Sequence, residues 1–222
     1  MLSQDQTLSQ RWLLACSLGI PVGLAVGQTI GFQLGVATGN SKIWAIGFLI
    51  IGPGITGIIV GLMQWLVLKG QIATAYRWIV ATSISWTIGH AITIVMGNAV
   101  YGVVNLALWK TANLAIVWII SGAISGAVSG AVSGSLVGLA QWWGLRWGLR
   151  WGLRQGLREH GLTPQRWILV SSLAWAIGHA ISSIINFTAG GMMALSLSWV
   201  IYGLVYGAIT RQPIRRINRS RN

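Results

Sequence analysis

The sequence predicts an all-α, polytopic membrane protein of six transmembrane helices arranged as three parallel helical-hairpin repeats. Three observations carry this. Of the 222 residues 54% are hydrophobic and 8% charged, whereas a soluble domain carries about 25% charge. The charges stand between long uncharged runs, which excludes a soluble globular domain and a charge-rich nucleic-acid-binding protein. The segments flanking the basic residues also repeat one another.

The uncharged runs 11–42, 42–69, 77–110 and 110–146 each hold a helix of about 20 residues, the length that crosses a hydrocarbon core of roughly 30 Å. The run 166–211 holds two, with a tight turn near Ala189, Gly190 and Gly191. The spans are placed near 12–36, 44–67, 78–98, 114–143, 167–187 and 193–210. The opening MLSQDQTLSQRW lacks the basic n-region and small-residue cleavage site of a signal peptide, so the first span is expected to persist. Thirteen of the 15 basic residues fall on the side that holds both termini, and only Lys42 and Lys110 fall opposite. That bias predicts cytoplasmic termini.

The repeat is visible at both ends of each hairpin. RWLLACSL from Arg11, RWIVATSI from Arg77 and RWILVSSL from Arg166 share R-W, an apolar pair and a serine at one offset, and Gly23, Gly89 and Gly178 follow in register. GLMQWLVLK from Gly61, GLAQWWGLR from Gly138 and GLVYGAITR from Gly203 close the hairpins on a base. The units run 11–69, 77–146 and 166–211, followed by a basic tail at 212–222. Two spans per unit make the repeats parallel rather than inverted. These Gly- and Trp-rich hairpins, with G-L-x-Q-W before a base and R-W opening the next helix, resemble a family of small cyanobacterial integral membrane proteins with no assigned function. The resemblance implies a bacterial inner or thylakoid membrane and carries over no catalytic residue.

Glycines recur every four residues at 19, 23, 27, 31, 35 and 39, and again at 122, 126, 130, 134 and 138 beside Ser121, Ser125, Ser129 and Ser133. Small residues four apart let helices approach closely in lipid, where apolar burial gives no drive for association. Glycine-zipper packing is therefore expected, with a conduit lined by small residues as the alternative. Pro21 and Pro53 are expected to kink their helices.

Residues 143–158 read WGLR, WGLR, WGLR, QGLR. Helical geometry puts Arg146, Arg150, Arg154 and Arg158 beside the stripe of Trp143, Trp147 and Trp151. Both residue types favour the headgroup region, so an interfacial extension of the fourth helix touching anionic lipid is expected, with no nucleic-acid partner.

The sharpest constellation is SWTIGHAI from Ser85 against AWAIGHAI from Ala174. His90 and His179 each stand 13 residues after their arginine, about 20 Å along a helix, where the first repeat has Leu24. Imidazole can be an axial ligand to haem iron or to chlorophyll magnesium, with Trp86 and Trp175 one turn away and Gly89 and Gly178 removing bulk for a macrocycle. Alternatively each histidine hydrogen-bonds a neighbouring helix, or belongs to a transport path with Gln28, Gln33, Gln64, Gln141 and Asn98. The two acids, Asp5 and Glu159, lie outside the spans, which leaves no carboxylate for proton relay or cation coordination. Cys16 is the only cysteine, and no catalytic motif or metal-ligand spacing is present. The leading expectation is a non-enzymatic structural or interaction component, contacting lipid and other membrane proteins. A tetrapyrrole carrier through His90 and His179 and a passive small-solute transporter or channel are the alternatives.

Overall fold

The computed structural model describes residues 4–69, 75–110, 113–148, 163–189 and 191–219, and all their regular structure is helical. The order is α1 (Gln4–Thr38), α2 (Ser41–Ile46), a π-helical turn (Gly47–Ile51), α3 (Gly52–Leu68), α4 (Ala75–Leu108), α5 (Leu114–Gly148), α6 (Pro164–Ala189) and α7 (Gly191–Arg219). Among the described residues five stretches are long and apolar enough to cross a membrane: Gln6–Thr38, Ser41–Leu68, Tyr76–Leu108, Leu114–Arg146 and Pro164–Ala189. The seventh helix carries Arg211, Arg215, Arg216 and Arg219 and is not one of the five.

Several boundaries differ from the sequence-based ones. The expected span at 78–98 continues to Leu108, because nothing between Asn98 and Lys110 stops a helix in lipid: no proline, no charge, and backbone groups that must pair internally. The segment expected as a tail from 212 is helical to Arg219 and buries Ile214. Pro21 sits inside an unbroken α1. Pro53 follows the π-helical turn, whose widened backbone relieves the clash of a proline ring with the preceding turn. Gly39, with φ of 59°, makes the reversal from α1 to α2, a left-handed conformation that favours glycine. Asn40 then caps α2 by accepting from the backbone N–H of Lys42 and Ile43.

The long helices close into a ring: α1 packs on α3 and α7, α4 on α3 and α5, and α6 on α5 and α7. Its outer surface is apolar, with Leu14, Leu18, Ile84, Val95 and Leu106 exposed. Its interior combines large apolar side chains, among them Trp12, Val60, Trp78, Val137 and Trp167, with buried polar ones, among them Thr56, Gln64, Ser129, Ser133, Gln141 and Ser171. The apolar outer face is what sets the ring apart from a soluble protein, since hydrocarbon solvates leucine as well as another leucine does.

The end of the ring that carries Arg11, Lys69, Arg77, Arg146, Arg166 and Arg211, the basic end, is sealed. Trp12, Trp78 and Trp167 are fully buried there. The Trp12 indole donates to Thr210 Oγ1 at 2.9 Å, and Trp78 meets Trp167 edge-on at 6.5 Å. Above them Gln141 Nε2 donates to Gln64 Oε1 at 3.2 Å, Tyr206 donates to Gln141 Oε1 at 3.1 Å, and Gln64 Nε2 reaches Cys16 Sγ at 3.7 Å. Gln64, Gln141 and Tyr206 occupy one offset of the three closing motifs.

Helix α5 runs through Gly148, so the first of the WGLR units prolongs it, with Trp143 and Arg146 exposed. Arg150, Trp151, Arg154 and Arg158 lie outside the described residues, as does the side chain of Trp147.

Candidate functional site: a polar cavity at His90 and His179

The Trp-x-x-x-His spacing puts both side chains on one helical face, a turn apart. On α4 this aligns Trp86 and His90, and on α6 Trp175 and His179; α7 supplies Ser198, Trp199 and Tyr202, and α1 supplies Leu24. Together with Thr93, Ser182, Ser183 and Asn186 these residues line one cavity of about 180 Å³. The two histidines named from sequence are thus brought together, and so are their tryptophans. Trp86 and Trp175 meet at 4.9 Å and an interplanar angle of 62°. Tyr202 stands at 5.7 Å and 89° to Trp175 and at 6.5 Å and 74° to Trp86. These three rings form a floor between the cavity and the sealed basic end.

A second space, a crevice of about 430 Å³, lies next to the cavity between α4, α5 and α6. Thr93, His179 and Ser183 border both spaces. Asn98, Ser125, Ser129, Gly122 and Gly126 line the crevice, together with Tyr101 and Phe187, which stack at 5.9 Å and 4°. Thr93 stands midway between Arg77 and Lys110, so a polar recess reaches the middle of the helix bundle. Interhelical bonds hold its walls: Ser133 donates to Gly89 O at 2.7 Å and lies 2.9 Å from the Thr93 hydroxyl, and Ser182 donates to Ser198 O at 3.2 Å.

The histidines do not serve as hydrogen-bonding glue between helices. Nε2 of His90 and of His179 is buried with no hydrogen-bond partner, as are Trp175 Nε1 and Tyr202 Oη. The His179 ring instead lies 5.4 Å from Trp175 and 5.0 Å from Tyr202, and His90 meets Phe48 edge-on at 5.9 Å. A buried polar atom left unpaired costs about 1–3 kcal/mol. Eight other side-chain atoms among the described residues are left unpaired in the same way, those of Trp78 and Trp167 in the seal included, so the deficit is not particular to this cavity.

A flat tetrapyrrole does not fit the inner cavity that the two histidines share. The cavity of about 180 Å³ falls below the roughly 300–1,000 Å³ of sites that enclose a drug-sized ligand. The bulk removed at Gly178 is taken up by the Tyr202 ring, and Gly89 lies against Ser133. Trp86 and Trp175 pack on each other rather than flanking a slot. Among the described residues no three or more His, Cys, Asp or Glu groups come together.

The expected polar path divides. Asn98 lines the crevice, Gln64 and Gln141 are tied together in the seal, and Gln33 is exposed on the outside of α1. Gln28 Oε1 is buried and unpaired. Tyr202 and Ser198 went unremarked in the sequence, although Tyr202 stands just before its closing motif at the offset of Val60 and Val137, both fully buried.

Charge is absent from the recess. An ion buried without a partner costs several kcal/mol even after relaxation, while a desolvated cation–π contact returns about 2 kcal/mol. The site therefore favours neutral guests. No protein-family profile, curated protein or solved structure matches the chain.

Proposed function

We propose that the chain is a six-span integral membrane protein of three parallel hairpins. Both termini lie on the cytoplasmic side of a bacterial inner or thylakoid membrane, and the protein admits a small polar solute passively to a recess at His90 and His179. The carrying observation is a pair of adjacent cavities, one at Asn98 and one at the histidines, that share Thr93, His179 and Ser183 in their linings inside a ring whose outer face is apolar. The sixth span is supported by α7, which completes the ring between α6 and α1. The repeat is supported by the residues at matched offsets that meet inside the ring. The basic end contacts anionic lipid through exposed Arg146 and Arg211.

Passage across the bilayer requires the Trp86, Trp175 and Tyr202 floor to part. Shrink–swell rates of proteoliposomes holding the purified full chain, across a panel of small uncharged solutes, test this. Rates above those of protein-free liposomes are expected for the smallest members. Equality across the panel overturns the transport reading and leaves the non-enzymatic structural component, which the sealed, closely packed basic end favours.

A further inference from the structure

The crevice is lined from three helices, and the distance of each lining residue from the basic end gives its depth. On α4 the lining runs from Thr93 out to Tyr101, on α6 from His179 out to Phe187, and on α5, which runs the opposite way, from Ser129 out to Gly122. The outermost residues, Tyr101, Phe187 and Gly122, stand 24, 21 and 24 residues from Arg77, Arg166 and Arg146, at nearly one height. These three meet. The Tyr101 and Phe187 rings stack at 5.9 Å and 4°, and a Cβ on Gly122 would strike the Phe187 ring, so that ring is seated on the bare backbone of α5 and held against α4. Gly122 is buried whereas Phe187 is 46% exposed, which puts the pair at the boundary of the crevice rather than inside it.

Chemistry changes at the same height. Below the pair the walls carry Asn98, Ser125, Ser129 and Ser183, whose side chains can hydrogen-bond water or a polar solute. The stacked ring faces offer no such bond, and apolar constrictions control passage by shedding water. We propose that the Tyr101–Phe187 pair, seated on Gly122, is the constriction that sets how fast small solutes enter the crevice from the end opposite the arginines. That role presupposes the solute-admitting reading above and supplies its entry step.

Proteoliposomes of the full chain test this in a Cys16→Ala background with Ser125→Cys, a position that lines the crevice and not the inner cavity. A membrane-impermeant maleimide is applied from the side opposite the arginines. Val95→Cys, on a face outside both spaces, is the control. Adding Phe187→Ala should speed labelling at Ser125→Cys at least fivefold and leave Val95→Cys within twofold, while Phe187→Tyr, which keeps the ring, should hold the parent rate. A measurable rate that Phe187→Ala leaves unchanged overturns the constriction and leaves the solute-admitting reading standing, since the crevice is then reached without passing the ring. Equal acceleration at Ser125→Cys and Val95→Cys also overturns it, because the helices have then loosened as a whole. No labelling of Ser125→Cys with or without Phe187→Ala removes the solute-admitting reading together with the constriction.

Discussion

The glycines of α1, α4 and α5 meet different fates in this ring. In α1, a Cβ on Gly27 would strike the carbonyl of Gly52, and one on Gly31 that of Gly47, so backbone lies against backbone. In α4, Gly97 holds the position that Gly31 holds in α1, twenty residues past its arginine, and meets only the Ser129 side chain at ordinary contact distance while lining the crevice. The α5 row does both. Gly130, Gly134 and Gly138 press on Trp175, Ser171 and Ile168 of α6, while Ser125 and Ser129 border open space. A small-residue row therefore specifies neither packing nor a conduit by itself. The partner helix decides.

The contrast can be broken at its tightest point. Gly27→Leu forces four carbons into the α1–α3 backbone contact. It is expected to destabilise by about 3 kcal/mol, read as a lower midpoint of unfolding in mixed micelles. A midpoint unchanged within error would show that α1 can stand off from α3. Next in size is Gln141→Leu, which takes from Gln64 Oε1 its donor and from the Tyr206 hydroxyl its Gln141 acceptor inside the seal, at about 2 kcal/mol. In the same assay Gln141→Glu should cost more, since it adds a buried charge. Thr93→Val removes one interhelical bond, to Ser133, at the inner end of the crevice, and about 0.6 kcal/mol is expected from the average of such bonds in membranes. The smallest effect belongs to Gly97→Ala, which should stay within about 0.5 kcal/mol of the parent because its new methyl enters the crevice. A cost equal to that of Gly31→Ala would remove the distinction between the two positions.

The helices were legible because charge punctuates the chain: apart from Arg11, two turns inside α1, every basic residue before 147 stands within a few residues of a helix end or beyond it. The pairing of His90 with His179 was legible from equal spacing after Arg77 and Arg166. The seal was half legible. Gln64, Gln141 and Tyr206 align in the closing motifs, but their meeting depends on the three returning helices converging, which no local pattern encodes. The cavity was not legible at all. Gly178 and Gly89 read as space for a macrocycle, and that space is occupied by Tyr202 and Ser133, residues from helices whose placement follows from ring closure.

The central claim is that solvent-continuous polar space reaches the middle of the helix bundle along α4 while the outer face of the same turn meets lipid. In a Cys16→Ala background, single cysteines at Thr93 and at Val95 differ by two residues along one helix. Thr93 borders both cavities, whereas Val95 is 70% exposed on a face outside them. A membrane-impermeant maleimide applied from the side opposite the arginines should label Thr93→Cys at least tenfold faster than Val95→Cys. Equal rates, or faster labelling at Val95, would contradict the account.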